Sequence, residues 1–284
     1  MILRRIEQHF GSKIKCRRAL SGGCVGDVWR IDLACGERLV AKLGDPDSAL
    51  DLEGWMLRFL GDHGLPVPLV HIAAPDLLVM DYLSGGGPMD LEAEAEAGQL
   101  IARLHDVQSS RFGLERDTLI GGLTQANPWG ASWIDFFRDH RLINMADQAA
   151  QAGRLPASIR TRIDVLAANL GEFLEEPARP GLLHGDLWGG NVIVGARGGK
   201  GRISGFIDPA ISFGHPEIEL AFTQMFNTFG PPFFEAYQAV RPINAGFFEQ
   251  RLELYNLYPT LVHVRLFGGS YLGAVDRTLA RYGF

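Results

Sequence analysis

Three side chains carry the functional reading: Asp186, Asn191 and Asp208. The first two lie in His184-Gly185-Asp186-Leu187-Trp188-Gly189-Gly190-Asn191, the third in Ile207-Asp208-Pro209. A carboxylate, a carboxamide five residues on, and a second carboxylate further along suit phosphoryl transfer. That reaction asks little covalent chemistry of a protein. It needs a carboxylate near the attacking hydroxyl, oxygen ligands for Mg²⁺, and cations that neutralise phosphate charge. Asp186 is the candidate catalytic group. Asn191 and Asp208 are the candidate metal ligands, because Mg²⁺ takes few protein oxygens and keeps phosphate and water around it.

The flanking residues must place these groups. Gly181-Leu182-Leu183 runs before the segment and Val192-Ile193-Val194 after it, so Asp186 and Asn191 sit on a loop between short strands. A second apolar run, Ile203 to Ile207, follows a glycine-rich turn and completes a hairpin. A hairpin brings its two ends together, which lets Asp208 face Asn191. The spacing of Asp186 and Asn191 is that of the Asp and Asn in the kinase catalytic loop. Asp, Asn and Gly are also ordinary turn residues, and Asp208 could simply cap a helix. The combination favours phosphoryl transfer.

Upstream, Val40-Ala41-Lys42-Leu43 has the form of the kinase strand whose lysine meets the α/β-phosphates. The ordinary alternative is a solvated lysine at a strand end. An acidic partner should stand on the following helix, predicted over residues 47–60, where Asp51 and Glu53 compete. Ser21 to Trp29 reads as a phosphate-covering turn between strands. Its Gly22 and Gly23 would let backbone N–H groups approach phosphate. Cys24 lies inside that turn and is either oxidisable or a small buried side chain.

The chain has 284 residues and a formal net charge of −6, with a pI near 5.8. That balance argues against a nucleic-acid partner held by a broad basic surface. No long apolar stretch predicts a signal peptide or a membrane span. Three cysteines, Cys16, Cys24 and Cys35, make no disulfide framework and no metal cluster, so a cytoplasmic setting is expected.

The first 80 residues read as strands with one helix. Gly85-Gly86-Gly87-Pro88 breaks the pattern, and helices dominate beyond it, predicted over 91–104, 132–150, 158–174, 216–229 and 247–281. Such segregation predicts an α+β, bilobal architecture. The expected lobes are residues 1–83 for nucleotide and 84–284 for catalysis and substrate, with a hinge about 80–88 whose glycines would let the lobes move.

HGDLWGGNVIV and IDPAISFGHPEIELA resemble the fructosamine kinase (ketosamine 3-kinase) family, a branch of the protein-kinase-like, aminoglycoside-phosphotransferase-like fold. Trp188, Pro209 and Gly214-His215 are the narrower marks. Ser132-Trp133 through Phe136-Phe137 to Arg141-Leu142, and Leu266 to Gly273, are similar to two further signatures of the family. The resemblance covers nearly the whole chain. It implies an ATP-dependent kinase with Mg²⁺ that phosphorylates a ketosamine such as fructosamine, free or protein-bound, at O3 in protein deglycation. It aligns Glu53 with the family's helix glutamate, and places adenine against the backbone of Met80, Asp81, Tyr82 and Leu83. Trp188, His215 and Arg141 are candidate substrate contacts, although each also reads as a structural residue. A phosphotransferase for aminoglycoside or choline-like hydroxyls is the nearer alternative. A non-catalytic ATP-binding module is the farther one.

Overall fold

Alternation of apolar side chains organises the first part of the chain. In a computed structural model, residues 2–20 and 27–284 are described. The elements run α1 (Ile2–Phe10), β1 (Ile14–Ala19), β2 (Asp27–Leu33), β3 (Arg38–Leu43), α2 (Leu50–Asp62), β4 (Val70–Ala74), β5 (Leu77–Asp81) and α3 (Leu91–His105). Next come β6 (Thr118–Ile120), β7 (Leu123–Gln125), α4 (Trp133–Phe137), α5 (Asn144–Gln151), α6 (Ala157–Ala168), β8 (Gly181–Leu183), β9 (Val192–Arg197) and β10 (Lys200–Phe206). β11 (Ser212–Gly214), α7 (Pro216–Met225), α8 (Pro231–Val240), α9 (Leu252–Phe267) and α10 (Leu272–Arg281) complete the chain. The chain divides into two compact units: Met1–Ala97 with Gly190–Pro209, and Gly98–Gly189 with Ala210–Phe284.

The first unit is built on a five-stranded antiparallel sheet in the order β1-β2-β3-β5-β4. Successive strand residues face opposite sides. Leu39, Ala41, Leu77 and Val79 therefore form one core with Ile6 of α1. Val40, Leu78 and Met80 form another with Leu50 and Leu57 of α2. Lys42 shares the parity of Val40, so the alternation itself turns it toward α2.

The same unit contains the hairpin of β9 and β10. Its outer edge would leave unpaired amides, but acidic side chains near the start of α3 take them. Asp90 accepts from Gly201 N at 2.8 Å and Glu96 from Ile203 N at 3.0 Å. Phe206 N donates to Pro66 O at 2.8 Å. The glycine segment lies on the hairpin too. Gly87 N donates to Val194 O at 2.8 Å, and a Cβ at Gly87 would stand 1.9 Å from Gly195 O. Close backbone approach thus demands glycine there. Residues 84–97 and 190–209, expected with the C-terminal part, accordingly pack in the first unit.

The second unit is mainly helical. Trp133, Phe137 and Tyr255 are buried together at its centre. The helix predicted over 132–150 is interrupted by a π-helical turn at Arg138–Ile143. α9 carries Pro259 internally and is buried on most of its residues, so it shows no simple amphipathic stripe. It ends at Gly268, and the predicted 247–281 helix is several pieces. α1, α8 and the small β6–β7 pair had no counterpart in the sequence reading.

Candidate active site

In the first unit, Lys42 reaches Glu53 at 2.7 Å and also contacts the Asp208 carboxylate. Its side chain is only 7% exposed. Burial alone would push the ammonium down. Glu53 and Asp208 outweigh that and hold it above the usual lysine range. Glu53 is pushed upward by its own burial, with Lys42 opposing and Asp208 adding to the rise. Glu53 reaches Lys42 because it lies on the stripe of α2 between buried Leu50 and Leu57. Asp51, the competitor, is exposed.

Asn191 and Asp208 sit at the open end of the β9–β10 hairpin. Val192 pairs with Phe206, and Ile207 N donates to Asn191 O at 3.0 Å just beyond. Asn191 is buried. Asp208 has φ 55, left-handed for a residue that is not glycine. Such backbone strain persists only where surrounding contacts impose it, and it clusters at functional sites. A carboxylate and a carboxamide at one hairpin end are hard oxygen donors, a set that fits Mg²⁺.

The candidate catalytic loop, which begins at His184, belongs to the second unit as far as Gly189. Its start is hung on α7. Glu219 accepts His184 N at 3.1 Å and Gly185 N at 2.5 Å. Behind it, His105 donates to Glu219 at 2.9 Å, and the Tyr237 hydroxyl donates to the other nitrogen of His105 at 2.7 Å. Burial would raise the Glu219 carboxyl, but His105 and the Gly185 amide hold it below the ordinary range. Gly185 has φ 85, and a Cβ there would stand 2.0 Å from Ala210 O. The Asp186 amide donates to Nδ1 of His184 at 3.3 Å. His184 is thereby tied to the backbone of the loop it opens.

Glu219, which holds the backbone at His184 and Gly185, is not among the candidates read from the sequence. An acidic residue in the first turn of a helix is already accounted for by the helix dipole. The usable signal was a carboxylate between Ile218 and Leu220 in an apolar run, since a buried charge needs partners.

Two candidate substrate residues have internal work. Arg141 is 3% exposed and donates to Ala126 O, Asn127 Oδ1 and Ser212 Oγ. The rings of Phe136 and Tyr258 flank its guanidinium. His215 is buried, caps α7 by accepting Glu217 N at 3.1 Å, and is pushed down to about 3 by burial and by Arg251. Trp188 differs: it is 41% exposed and its ring lies 6.0 Å from that of Phe226.

In the strand that leads out of the sheet, Met80 is buried and pairs with Val40. Asp81 N and Tyr82 N donate to Leu69 O and Arg38 O. The Asp81 carboxylate meets His71 at 2.7 Å, and Arg30 stacks 4.9 Å from the Tyr82 ring. Leu83 follows. Gly22, Gly23 and Cys24 lie outside the described residues. No helix among the described residues is long and apolar enough to cross a membrane.

An antiparallel sheet carrying a lysine–glutamate pair, followed along the chain by a His-Gly-Asp loop and a hairpin-end aspartate, is the order of elements in a protein-kinase-like phosphotransferase. A profile of the fructosamine kinase family matches residues 1–282, and the chain belongs to that family. It is 35% identical over 287 residues to a probable ketoamine kinase of Synechocystis sp., covering 95% of this chain and 92% of the relative. A solved chain from Thermobifida fusca, provisionally named fructosamine-3-kinase, superposes with a TM-score of 0.87 at 28% identity, covering 99% and 98% of the two chains. The ADP-bound aminoglycoside phosphotransferase APH(2'')-Ib gives a TM-score of 0.64 at 19% identity, covering 98% and 96%, which shows the α+β fold alone. The chain is thus an ATP-dependent phosphotransferase acting on ketosamines. A non-catalytic module is set aside, since Lys42, Asp186, Asn191 and Asp208 are all present.

Proposed function

We propose that the enzyme phosphorylates O3 of a fructosamine- or ribulosamine-type acceptor and so initiates deglycation in the cytoplasm. The observation that carries the site assignment is the contact of Lys42 with both Glu53 and Asp208. In this reading Asp186 receives or orients the acceptor hydroxyl proton. Lys42, held by Glu53, neutralises phosphate charge. Gly22 and Gly23 are assigned to the phosphates on their sequence alone. Asn191 and Asp208 hold Mg²⁺, which when bound offsets charge on the transferring group. The Asp81 and Tyr82 amides already serve the protein, so adenine is assigned to the main chain at Leu83. Trp188 packs on the acceptor sugar. Arg141 and His215 are assigned to holding the second unit rather than to substrate.

A phosphate at C3 stands next to the C2 carbonyl. Loss of a C1 proton lets phosphate leave C3, and water then displaces the amine from the resulting C1 imine. The test is product analysis. Phosphorus–proton correlated NMR should place the phosphate on C3, and free amine and inorganic phosphate should then appear in equal amounts. Phosphate on another carbon, with no amine released, would refute the O3 and deglycation assignments.

A further inference from the structure

Aromatic rings on the second unit form a row that starts at the catalytic loop. Trp188 stands two residues after Asp186, with its ring 6.0 Å from Phe226. Phe226 is 5.2 Å from His263. His263 is 5.5 Å from Phe267 and 4.9 Å from Tyr271. Trp188, Phe226 and Phe267 are 41%, 38% and 57% exposed. His263 does not make the row polar. Burial lowers its pKa, which keeps it neutral, and its Nδ1 is bonded to Pro259 O. The loop, the residue ending α7 and the end of α9 each supply rings that fill no core. Contiguous apolar surface of this kind marks a binding surface.

We propose that this row receives the group carried on the amine of the ketosamine, and that it makes the enzyme favour ketosamines of apolar amines. The proposal rests on Asp186 being the residue that meets the acceptor hydroxyl. O3 and the C1 nitrogen of a ketosamine are four bonds apart, about 5 Å at standard bond lengths. A substituent on that nitrogen therefore begins about one ring's breadth from the reacting oxygen. Trp188 begins the row two residues after Asp186, and Phe226, His263 and Phe267 continue it ring by ring. An alkyl or aryl substituent loses its contact with water against Phe226 and Phe267. A hydroxylated substituent gains nothing there.

The test measures kcat/KM of the full chain with Mg·ATP and four acceptors: the N-(1-deoxyfructosyl) derivatives of ethylamine, ethanolamine, hexylamine and phenethylamine. The hexyl and phenethyl derivatives should exceed the ethyl one by about tenfold, mainly through KM. The ethanolamine derivative should not exceed it. In Phe267→Ser ethyl turnover should stay near wild type, and in both Phe267→Ser and Phe226→Ser the apolar advantage over the ethyl derivative should fall to about threefold or less. Phe267 is exposed enough that its loss leaves the core intact. Equal kcat/KM for all four acceptors in the wild type overturns the subsite. So does an apolar advantage that survives both substitutions. Failure of the underlying reading looks different: Asp186→Asn would then turn over all four acceptors at the wild-type rate.

Discussion

The Glu219 carboxylate accepts the Gly185 amide at 2.5 Å, from a position only 2% exposed. The first residues of the catalytic loop therefore hang on α7 through a buried charge. Glu219→Gln keeps the volume but turns an N–H₂ toward a group that itself donates. The expected cost is about 1–3 kcal/mol in denaturant unfolding. We also expect at least about a tenfold fall in kcat, because the group that orients Asp186 has moved. KM for ATP should not change. A kcat near wild type in a variant with the lowered stability would show that the loop does not depend on this anchor.

Lys42 separates two carboxylates in the first unit. Lys42→Met removes the proposed phosphate cation and leaves Glu53 and Asp208 without the ammonium they share. We expect kcat/KM for ATP to drop about 100- to 1,000-fold, the scale on which a fixed charge-stabilising donor acts. Glu53→Gln should fall between this variant and wild type, since the ammonium keeps Asp208. Steady-state ADP release measures both, and reversal of their order would contradict the assignment of Lys42 as the phosphate cation.

The hairpin that carries Asn191 and Asp208 is backed by Gly87. Gly87→Ala would set a Cβ 1.9 Å from Gly195 O. Backbone must move, at a cost of about 1–3 kcal/mol. The shift falls on the proposed metal ligands, so the Mg²⁺ concentration for half-maximal rate should rise while KM for the ketosamine holds. An unchanged Mg²⁺ titration would detach the glycine segment from metal binding.

His215 gives a pH signature. Its ring ordinarily titrates near 6.5, and burial pushes it down to about 3 in the fold. Arg251 and Arg241 add to the shift. Glu217, which faces the same ring at 4.0 Å, is held by Arg251. Between those pH values the unfolded chain binds the proton and the folded chain does not. Stability from this group is complete above about pH 6.5 and is lost as pH falls, by up to about 1.4 kcal/mol per unit. His215→Asn keeps an acceptor for the α7 cap and cannot titrate. Its unfolding free energy should vary less between pH 7 and 5 than that of the wild type; an equal slope would assign the acid sensitivity elsewhere.

Much of this was legible in the residues. Lys42 was picked out by the Val-Ala-Lys-Leu form of its strand, and the β9–β10 hairpin by two apolar runs about a glycine turn. Asp208 and Asn191 met at its open end for that reason. Other features needed three dimensions. α1 carries Ile2, Leu3, Ile6 and Phe10 on one face, but it is short and its charged residues obscured the stripe. The pairing of Asp90 and Glu96 with a distant strand edge leaves no local pattern. Arg141 and His215 looked like substrate groups because polar residues in a motif carry no mark of burial. Glu219 was hidden for the opposite reason, since an acidic residue in the first turn of a helix already has a sufficient local explanation.

Asp186 is the proposed driver of phosphoryl transfer to the ketosamine. The most direct measurement compares Asp186→Ala with wild type in ketosamine-dependent ADP formation, using N-(1-deoxyfructosyl) ethylamine, Mg²⁺ and saturating ATP. We expect a fall of about 1,000-fold or more in kcat, with the thermal unfolding midpoint and ATP binding preserved. Turnover within about tenfold of wild type in a folded, ATP-binding variant would contradict it.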